Sequence, residues 1–269
     1  MNNRPIFIGG LMKSGTSLMR ALIGNHSRIF GGLETWWFSG DFKKEYKLIN
    51  SKTAAKIKLL YKITNKRYET LLYGTINHLD FLNKLLLHCA NCEQKSRWVE
   101  KTPDNIFYLD ELDDFWDKEY YFIYMMRNPL DIFASWKKNT QNSLKLFEEK
   151  ITQTVRILDN PKFKNADQYC IVTYESLVQN AAMTMKMIMK MIGENWENGI
   201  EINQKDTSEF ELVKKLTNKK STTLQSLSKP IFRTSIGQYH HILNDDEIHS
   251  VNQISPIYQQ ILNSTQLSQ

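Results

Sequence analysis

The stretch Pro5 to Glu34 reads PIFIGGLMKSGTSLMRALIGNHSRIFGGLE. An apolar run, Ile6-Phe7-Ile8, is stopped by Gly9-Gly10, which predicts a short buried strand. A tight loop follows, Leu11 to Ser17. Then Leu18, Met19, Ala21, Leu22 and Ile23 recur at helical spacing up to Gly24-Asn25, a helix stop signal. Strand, glycine loop and helix N-terminus together form an anion site. Unpaired backbone N–H groups and the positive end of the helix dipole converge on one spot. Lys13 adds a full charge there, and Ser14, Thr16 and Ser17 add hydroxyls.

The spelling argues against a nucleoside-triphosphate loop, G-x-x-x-x-G-K-[ST]. Gly10 and Gly15 have the right separation, but Thr16 stands where that motif needs lysine. The lysine comes two residues before Gly15 instead, so no Lys-Ser/Thr pair remains to place a magnesium ion. The loop alone predicts anion binding and leaves the anion open, an ordinary β-turn-α unit with a surface lysine being the rival.

The 269 residues are read as one α/β domain, 1–269, with 41% hydrophobic and 12% aromatic content, enough for a core. A net charge of +6 favours an anionic ligand without choosing among nucleotide, nucleic acid, membrane surface or acidic protein. Met1-Asn2-Asn3-Arg4 runs straight into the first strand, and no apolar run approaches the roughly 20 residues of a membrane span. A soluble cytoplasmic protein is expected. The three cysteines, Cys89, Cys92 and Cys170, form no disulfide framework. Cys89 and Cys92 make a lone CxxC beside His88. A zinc site needs four ligands, so coincidence on a helix end is the preferred reading and no metal is expected.

Farther along, Ser27 to Glu34 predicts a loop, a short extended piece and a Gly31-Gly32 turn that delivers Glu34 near the first loop. Thr35-Trp36-Trp37-Phe38 reads as core packing or as a wall of an acceptor pocket. From Gly40 to Gln94 the pattern is helical throughout, an insertion of about 40–95 placed after the first strand. Its first half carries nine basic residues, Lys43 to Arg67, against Asp41, Glu45 and Glu69, read as a solvated helix face or a basic wall over an acidic acceptor. Arg97 to Pro103 predicts a strand and polar turn, with Asp104 and Asn105 capping a helix over Ile106–Phe115. Tyr120 to Met126, apolar throughout, predicts a central parallel strand. It ends in Arg127-Asn128-Pro129, and a helix starts at Leu130-Asp131. Gln168–Thr173 predicts another strand, running into Tyr174-Glu175-Ser176-Leu177. A Met-rich helix, Ala181 to Ile192, reads as core filler. Gly193–Ser228 is weakly patterned, Lys229–Tyr239 is a basic loop, and Asp245–Leu262 predicts a closing helix. This alternation implies a doubly wound parallel sheet, which binds ligands at the C-terminal ends of its strands. Lys13, Lys101, Arg127 and Tyr174 all fall just past a predicted strand end.

Several of these pieces resemble one family. PIFIGGLMKSGTSLMR resembles the loop with which sulfotransferases hold a 5′-phosphosulfate. RNPLDIFAS, Arg127 to Ser135, resembles their 3′-phosphate motif, an arginine with a serine eight residues on. VTYESL, Val172 to Leu177, resembles the strand and turn that follow. SIGQY, Ser235 to Tyr239, resembles a degenerate nucleotide-covering loop. Within the superfamily the nearest look is the tyrosylprotein and carbohydrate sulfotransferase branch. Glu34 lies 21 residues after Lys13, matching the position of the tyrosylprotein enzymes' base, and Glu100-Lys101-Thr102-Pro103 resembles their lysine-bearing turn.

The resemblance implies a P-loop-like three-layer α/β fold: a central parallel sheet flanked by helices, with the helical insertion. It implies a donor, 3′-phosphoadenosine 5′-phosphosulfate (PAPS), with 3′-phosphoadenosine 5′-phosphate (PAP) as product. The expected reaction is sulfuryl transfer to a hydroxyl or amine without metal. Lys13 and Lys101 are the candidate stabilisers of the transferring group. Glu34 is the candidate general base, its pKa raised if Trp36 and Trp37 limit its solvation. Ser14, Gly15, Thr16 and Ser17 would hold the 5′-phosphate, and Arg127 with Ser135 the 3′-phosphate, arginine donating in a fork. Tyr174 is a candidate for adenosine contact, and Arg233 and Ser235 for nucleotide contact from the C-terminal loop. That loop departs from the family pattern: Phe232-Arg233-Thr234 stands where a basic-Lys-Gly run is usual. His78 and His88 are weaker alternatives for the base.

The acceptor is not spelled out; an acidic peptide tyrosine, a glycan and a small metabolite all fit. No nucleic-acid or membrane partner is expected, and a homodimer is compatible with the chain. Two other readings stay open: a kinase-like phosphotransferase, which would need magnesium, and a non-catalytic anion- or nucleic-acid-binding module motivated by the basic stretch from Lys43 to Arg67.

Overall fold

A computed structural model describes residues 2–38, 40–139, 143–203, 211, 214 and 226–268. Five strands, β1 (Ile6–Gly10), β2 (Ile29–Gly31), β3 (Arg97–Lys101), β4 (Tyr121–Met126) and β5 (Tyr169–Thr173), form one sheet in the order β2-β3-β1-β4-β5. Every pairing is parallel. β1 is central, with Ile8 beside Lys101 on one side and Ile123 on the other.

Strand alternation sorts the core into two layers. Ile6, Ile8, Val99, Ile123, Met125 and Val172 face one side. They pack on α1 (Thr16–Ile23), α10 (Tyr174–Gln179) and α11 (Ala181–Met191). Phe7, Trp98, Phe122, Tyr124 and Met126 face the other. There they meet α5 (His78–Cys92), α6 (Leu109–Trp116), α7 (Pro129–Asn139), α8 (Leu144–Leu158), α12 (Asp245–Ile254) and α13 (Pro256–Ser268). Both faces are therefore covered, as an all-parallel sheet requires. Each of these fully buried side chains contributes about 1.5–3 kcal/mol. In α11, Met185 and Met189 are buried one turn apart and fill the core as expected, whereas Met183 and Met187, on the opposite face, are exposed.

The extended piece expected at Ser27–Glu34 is the edge strand β2. The helical insertion accordingly lies between β2 and β3, as α2 (Gly40–Glu45), α3 (Lys52–Leu60), α4 (Asn65–Leu72) and α5. A short helix α9 (Pro161–Lys164) precedes β5. Two helix expectations are corrected. Asp245–Leu262 is not continuous: Pro256 supplies no N–H and disfavours helical backbone at Ser255, so the chain breaks there into α12 and α13. Residues 103–108 form a 3₁₀ turn before α6, and Asn105 does not cap a helix; its side chain points inward to Glu100 and to the carbonyl of Ile8. The Tyr174-Glu175-Ser176-Leu177 segment is the start of α10, capped by the Thr173 hydroxyl, which accepts from the Ser176 N–H. Much of the weakly patterned 193–228 segment lies outside the described residues.

Candidate active site

The loop between β1 and α1 is closed by the Ser14 N–H on the Leu11 carbonyl at 3.0 Å. Gly15 caps α1 with φ +100, and no side chain caps the first-turn N–H groups. A Cβ at Gly15 would lie 2.6 Å from Tyr174 Cδ2, so only glycine suits both the backbone and the aromatic ring against it. Lys13 is left-handed at φ +74 without being glycine. Such a conformation costs about 1–2 kcal/mol and is tolerated where the surroundings impose it. The Ser14 hydroxyl is buried without a hydrogen-bond partner among the described residues. Thr16 and Ser17 are buried in the first turn of α1.

Arg127 stands one residue past β4 and 5% exposed. Its Nη1 donates to the Lys13 carbonyl at 2.9 Å and its Nη2 to the Ser235 carbonyl at 2.5 Å. Its Nε is buried without a partner among the described residues. The guanidinium lies over the Tyr174 ring, 4.3 Å from the centroid. The Tyr174 hydroxyl lies 2.6 Å from Ser235 Oγ. Behind them, Asp131 in the first turn of α7 accepts the N–H groups of Gly237 at 2.8 Å and Tyr239 at 3.1 Å, which ties the C-terminal loop down. Glu175 accepts the Asn128 N–H at 3.0 Å, and burial raises its pKa. Ser135 lies two turns into α7 and is buried.

A second group of charges meets this one at Lys13. Glu34 pairs with Lys101 across the ends of β2 and β3, Lys101 almost fully covered and Glu34 partly open. Burial lowers the pKa of Lys13; Glu34 works against that shift and Lys101 adds to it, so the three charges share one neighbourhood. Trp36, which follows Glu34 and Thr35, has φ +53 and is 39% exposed. Trp37 turns away into the core, its ring 3.6 Å from that of Phe42 and its Nε1 on the His78 carbonyl at 3.1 Å. It therefore packs the core; it does not shield Glu34.

Lys13, Gly15, Arg127, Tyr174 and Ser235 are thus joined by direct contacts, and Glu34 and Lys101 adjoin them through Lys13. Arg233 is placed elsewhere. Its Nε and Nη2 donate to the carbonyls of Val178 and Gln179 at 3.2 and 2.5 Å, at the far end of α10 from Tyr174. His78 faces Glu111 at 3.0 Å, and His88 faces Cys92 at 3.8 Å. All three cysteines are free thiols, and no group suited to a metal ion occurs among the described residues. No described helix is long and apolar enough to cross a membrane.

Two residues near the site were not singled out from sequence. By sequence, Asp131 marks only a helix start. Glu100 is buried inside β3 and accepts the hydroxyls of Thr35 at 2.6 Å and Thr102 at 2.8 Å and the Asn105 amide at 2.6 Å. Burial raises its pKa, and those hydrogen bonds oppose the rise. An acid within the wholly buried strand RWVEK was the available signal, since a buried carboxylate requires donors around it.

The family model described as "Sulfotransferase family" matches residues 5–198, more than half of the chain. No curated protein sequence gives a significant match. Among solved structures, the sulfotransferase domain from the Synechococcus PCC 7002 olefin synthase superposes with a TM-score of 0.68 at 18% identity, covering 96% of both chains. The sulfotransferase domain from the curacin biosynthetic pathway superposes with a TM-score of 0.67 at 15% identity, covering 96% of this chain and 98% of the other. At these identities the two structures share the fold.

Proposed function

This chain belongs to the sulfotransferase family, and we propose that it moves a sulfuryl group from PAPS to a hydroxyl or amine acceptor. The observation that carries the reading is the contact between Arg127 and Lys13. It brings the motif expected at the 3′-phosphate onto the loop expected at the 5′-phosphosulfate. A single doubly phosphorylated adenosine can then engage both.

In this reading the N–H groups of Gly15, Thr16 and Ser17 and the Ser14 hydroxyl hold the 5′-phosphate at the α1 N-terminus. Arg127, with Ser135, takes the 3′-phosphate, which displaces the Ser235 carbonyl from Nη2, and Tyr174 lies against the adenosine. Lys13 meets the bridging oxygen, where negative charge grows as the sulfuryl group leaves. Glu34 takes the proton from the attacking hydroxyl, and Lys101 turns from Glu34 to the sulfuryl oxygens. The new bond joins acceptor oxygen to sulfur; the bond that breaks joins sulfur to the phosphate oxygen, and PAP leaves with that electron pair. No metal takes part. Arg233, held on the carbonyls of Val178 and Gln179, is given no phosphate contact in this reading.

Incubation with 35S-labelled PAPS and a panel of phenols, alcohols, amines, glycans and acidic tyrosine peptides tests the reaction. Label transferred to one class supports it. Magnesium-dependent turnover of ATP in place of PAPS would contradict it.

A further inference from the structure

The residues that follow Glu34 and Lys101 in the chain are both tied to one buried side chain. Thr35 Oγ1 and Thr102 Oγ1 each donate to Glu100 Oε1, at 2.6 and 2.8 Å. Thr102 Oγ1 also accepts the Trp36 N–H at 3.2 Å. On the other oxygen, Asn105 Nδ2 donates to Glu100 Oε2 at 2.6 Å and to the Ile8 carbonyl of β1 at 3.0 Å. Glu100 is therefore linked to the segment after β2, to the turn after β3 and, through Asn105, to the central strand. The segment it holds is left-handed at Trp36, so the backbone beside Glu34 does not take this path by preference. A carboxylate in a wholly buried strand is costly. An apolar residue there would pack without that cost but could not hold two hydroxyls from two segments.

We infer that Glu100 is a positioning residue for the Glu34–Lys101 pair: it fixes the backbone on both sides and sets where the carboxylate and the ammonium meet. Its catalytic consequence rests on the function proposed above; its geometric content does not. Glu100 touches no reacting atom. It acts by holding the segment after β2 and the end of β3, which carry the two charges, in one geometry.

Competitive acetylation with acetic anhydride, read by mass spectrometry at each lysine, tests the geometry without an acceptor. Lys101 is covered and paired with Glu34. Lys95, bound to the carbonyls of Gly24 and Ile29 at the opposite end of β3, reports general loosening of the fold. Glu34→Ala calibrates the assay by removing the partner of Lys101. Glu100→Met, which has no oxygen to accept the two hydroxyls, and Thr35→Val are expected to raise Lys101 labelling about 3-fold or more with Lys95 unchanged, as a local opening would. Thr35→Ser, which keeps the hydroxyl, should restore the wild-type value. Unchanged Lys101 labelling in Glu100→Met and Thr35→Val, or a parallel rise at Lys95, overturns the inference, as does an unaltered Lys101 in Glu34→Ala. In the acceptor assay, Thr35→Val should lower kcat roughly 10-fold or more and leave the donor KM as it was; a change in KM alone overturns the positioning role. Failure of PAP to bind would sink the proposed reaction and leave the labelling pattern standing, so the two failures are distinguishable.

Discussion

Arg127 donates from Nη1 to the main-chain carbonyl of Lys13 at 2.9 Å, joining two motifs 114 residues apart in the chain. The parallel sheet makes this contact. β1 and β4 are neighbours in register, Gly10 beside Met125, so the loop leaving β1 and the turn leaving β4 emerge together. With the Tyr174 ring under the guanidinium and Ser235 on its other nitrogen, three distant segments meet at one arginine.

Replacing Glu34 with Gln keeps the shape of the side chain and removes its basicity. Turnover on a hydroxyl acceptor should fall roughly 10²-fold or more, the usual worth of a general base. Binding of PAP, followed by calorimetry, should remain at the wild-type value.

Gly15→Ala places a methyl group 2.6 Å from Tyr174 Cδ2 on a backbone at φ +100. The strained backbone alone costs about 1–2 kcal/mol. The displaced ring also loses its hydroxyl contact with Ser235 and its place under Arg127. Thermal denaturation should show a lower Tm, and the same variant should bind PAP more weakly.

The sheet, its helical layers and the strand-end cluster of Lys13, Lys101, Arg127 and Tyr174 were legible because local signals agree. The apolar run of β1 stops at Gly9-Gly10 and that of β4 at Arg127, and each of these stops marks a strand end. Side-chain direction was not legible. Trp36 and Trp37 are adjacent and identical in type, yet one is half exposed and the other lies in the core, a choice made by α2 and α5 packing from a distance. Arg233 lies in a basic loop that resembles a nucleotide cover, and the sequence gives no sign that its guanidinium rests on the carbonyls of Val178 and Gln179 at the end of α10. The role of Glu100 depends on Thr35, which no spacing rule connects to it.

Burial lowers the pKa of Lys13, so its protonated form is disfavoured in the folded, ligand-free protein. A group whose folded pKa lies below its unfolded value costs stability at pH values below both, and the cost fades as pH rises through the folded value toward 10.5. Lys13→Met should therefore raise Tm at pH 7 in the absence of nucleotide, and the gain should shrink at pH 10. The same variant should lose affinity for PAP, a trade of stability for function.

At the opposite end of the sheet, Glu194 pairs with the buried Arg97 and with Arg28, each at 2.9 Å. Glu194→Ala leaves the Arg97 guanidinium buried without its carboxylate. Urea denaturation should show a loss of roughly 3–5 kcal/mol, the cost of breaking a buried pair on one side. Nucleotide affinity measured on the folded fraction should be unchanged, since no strand-end residue of the site is touched.

The central claim is that one nucleotide spans the Lys13 loop and Arg127, with Arg127 answering the 3′-phosphate. Its most direct test is calorimetric titration of PAP and of adenosine 5′-monophosphate into the wild-type protein and into Arg127→Ala. The wild type should bind the bisphosphate about 2–3 kcal/mol more tightly than the monophosphate, the worth of a charge-assisted contact. Arg127→Ala should erase that difference while still binding the monophosphate. Equal affinity of the wild type for both nucleotides, or a difference that survives in Arg127→Ala, would contradict the account.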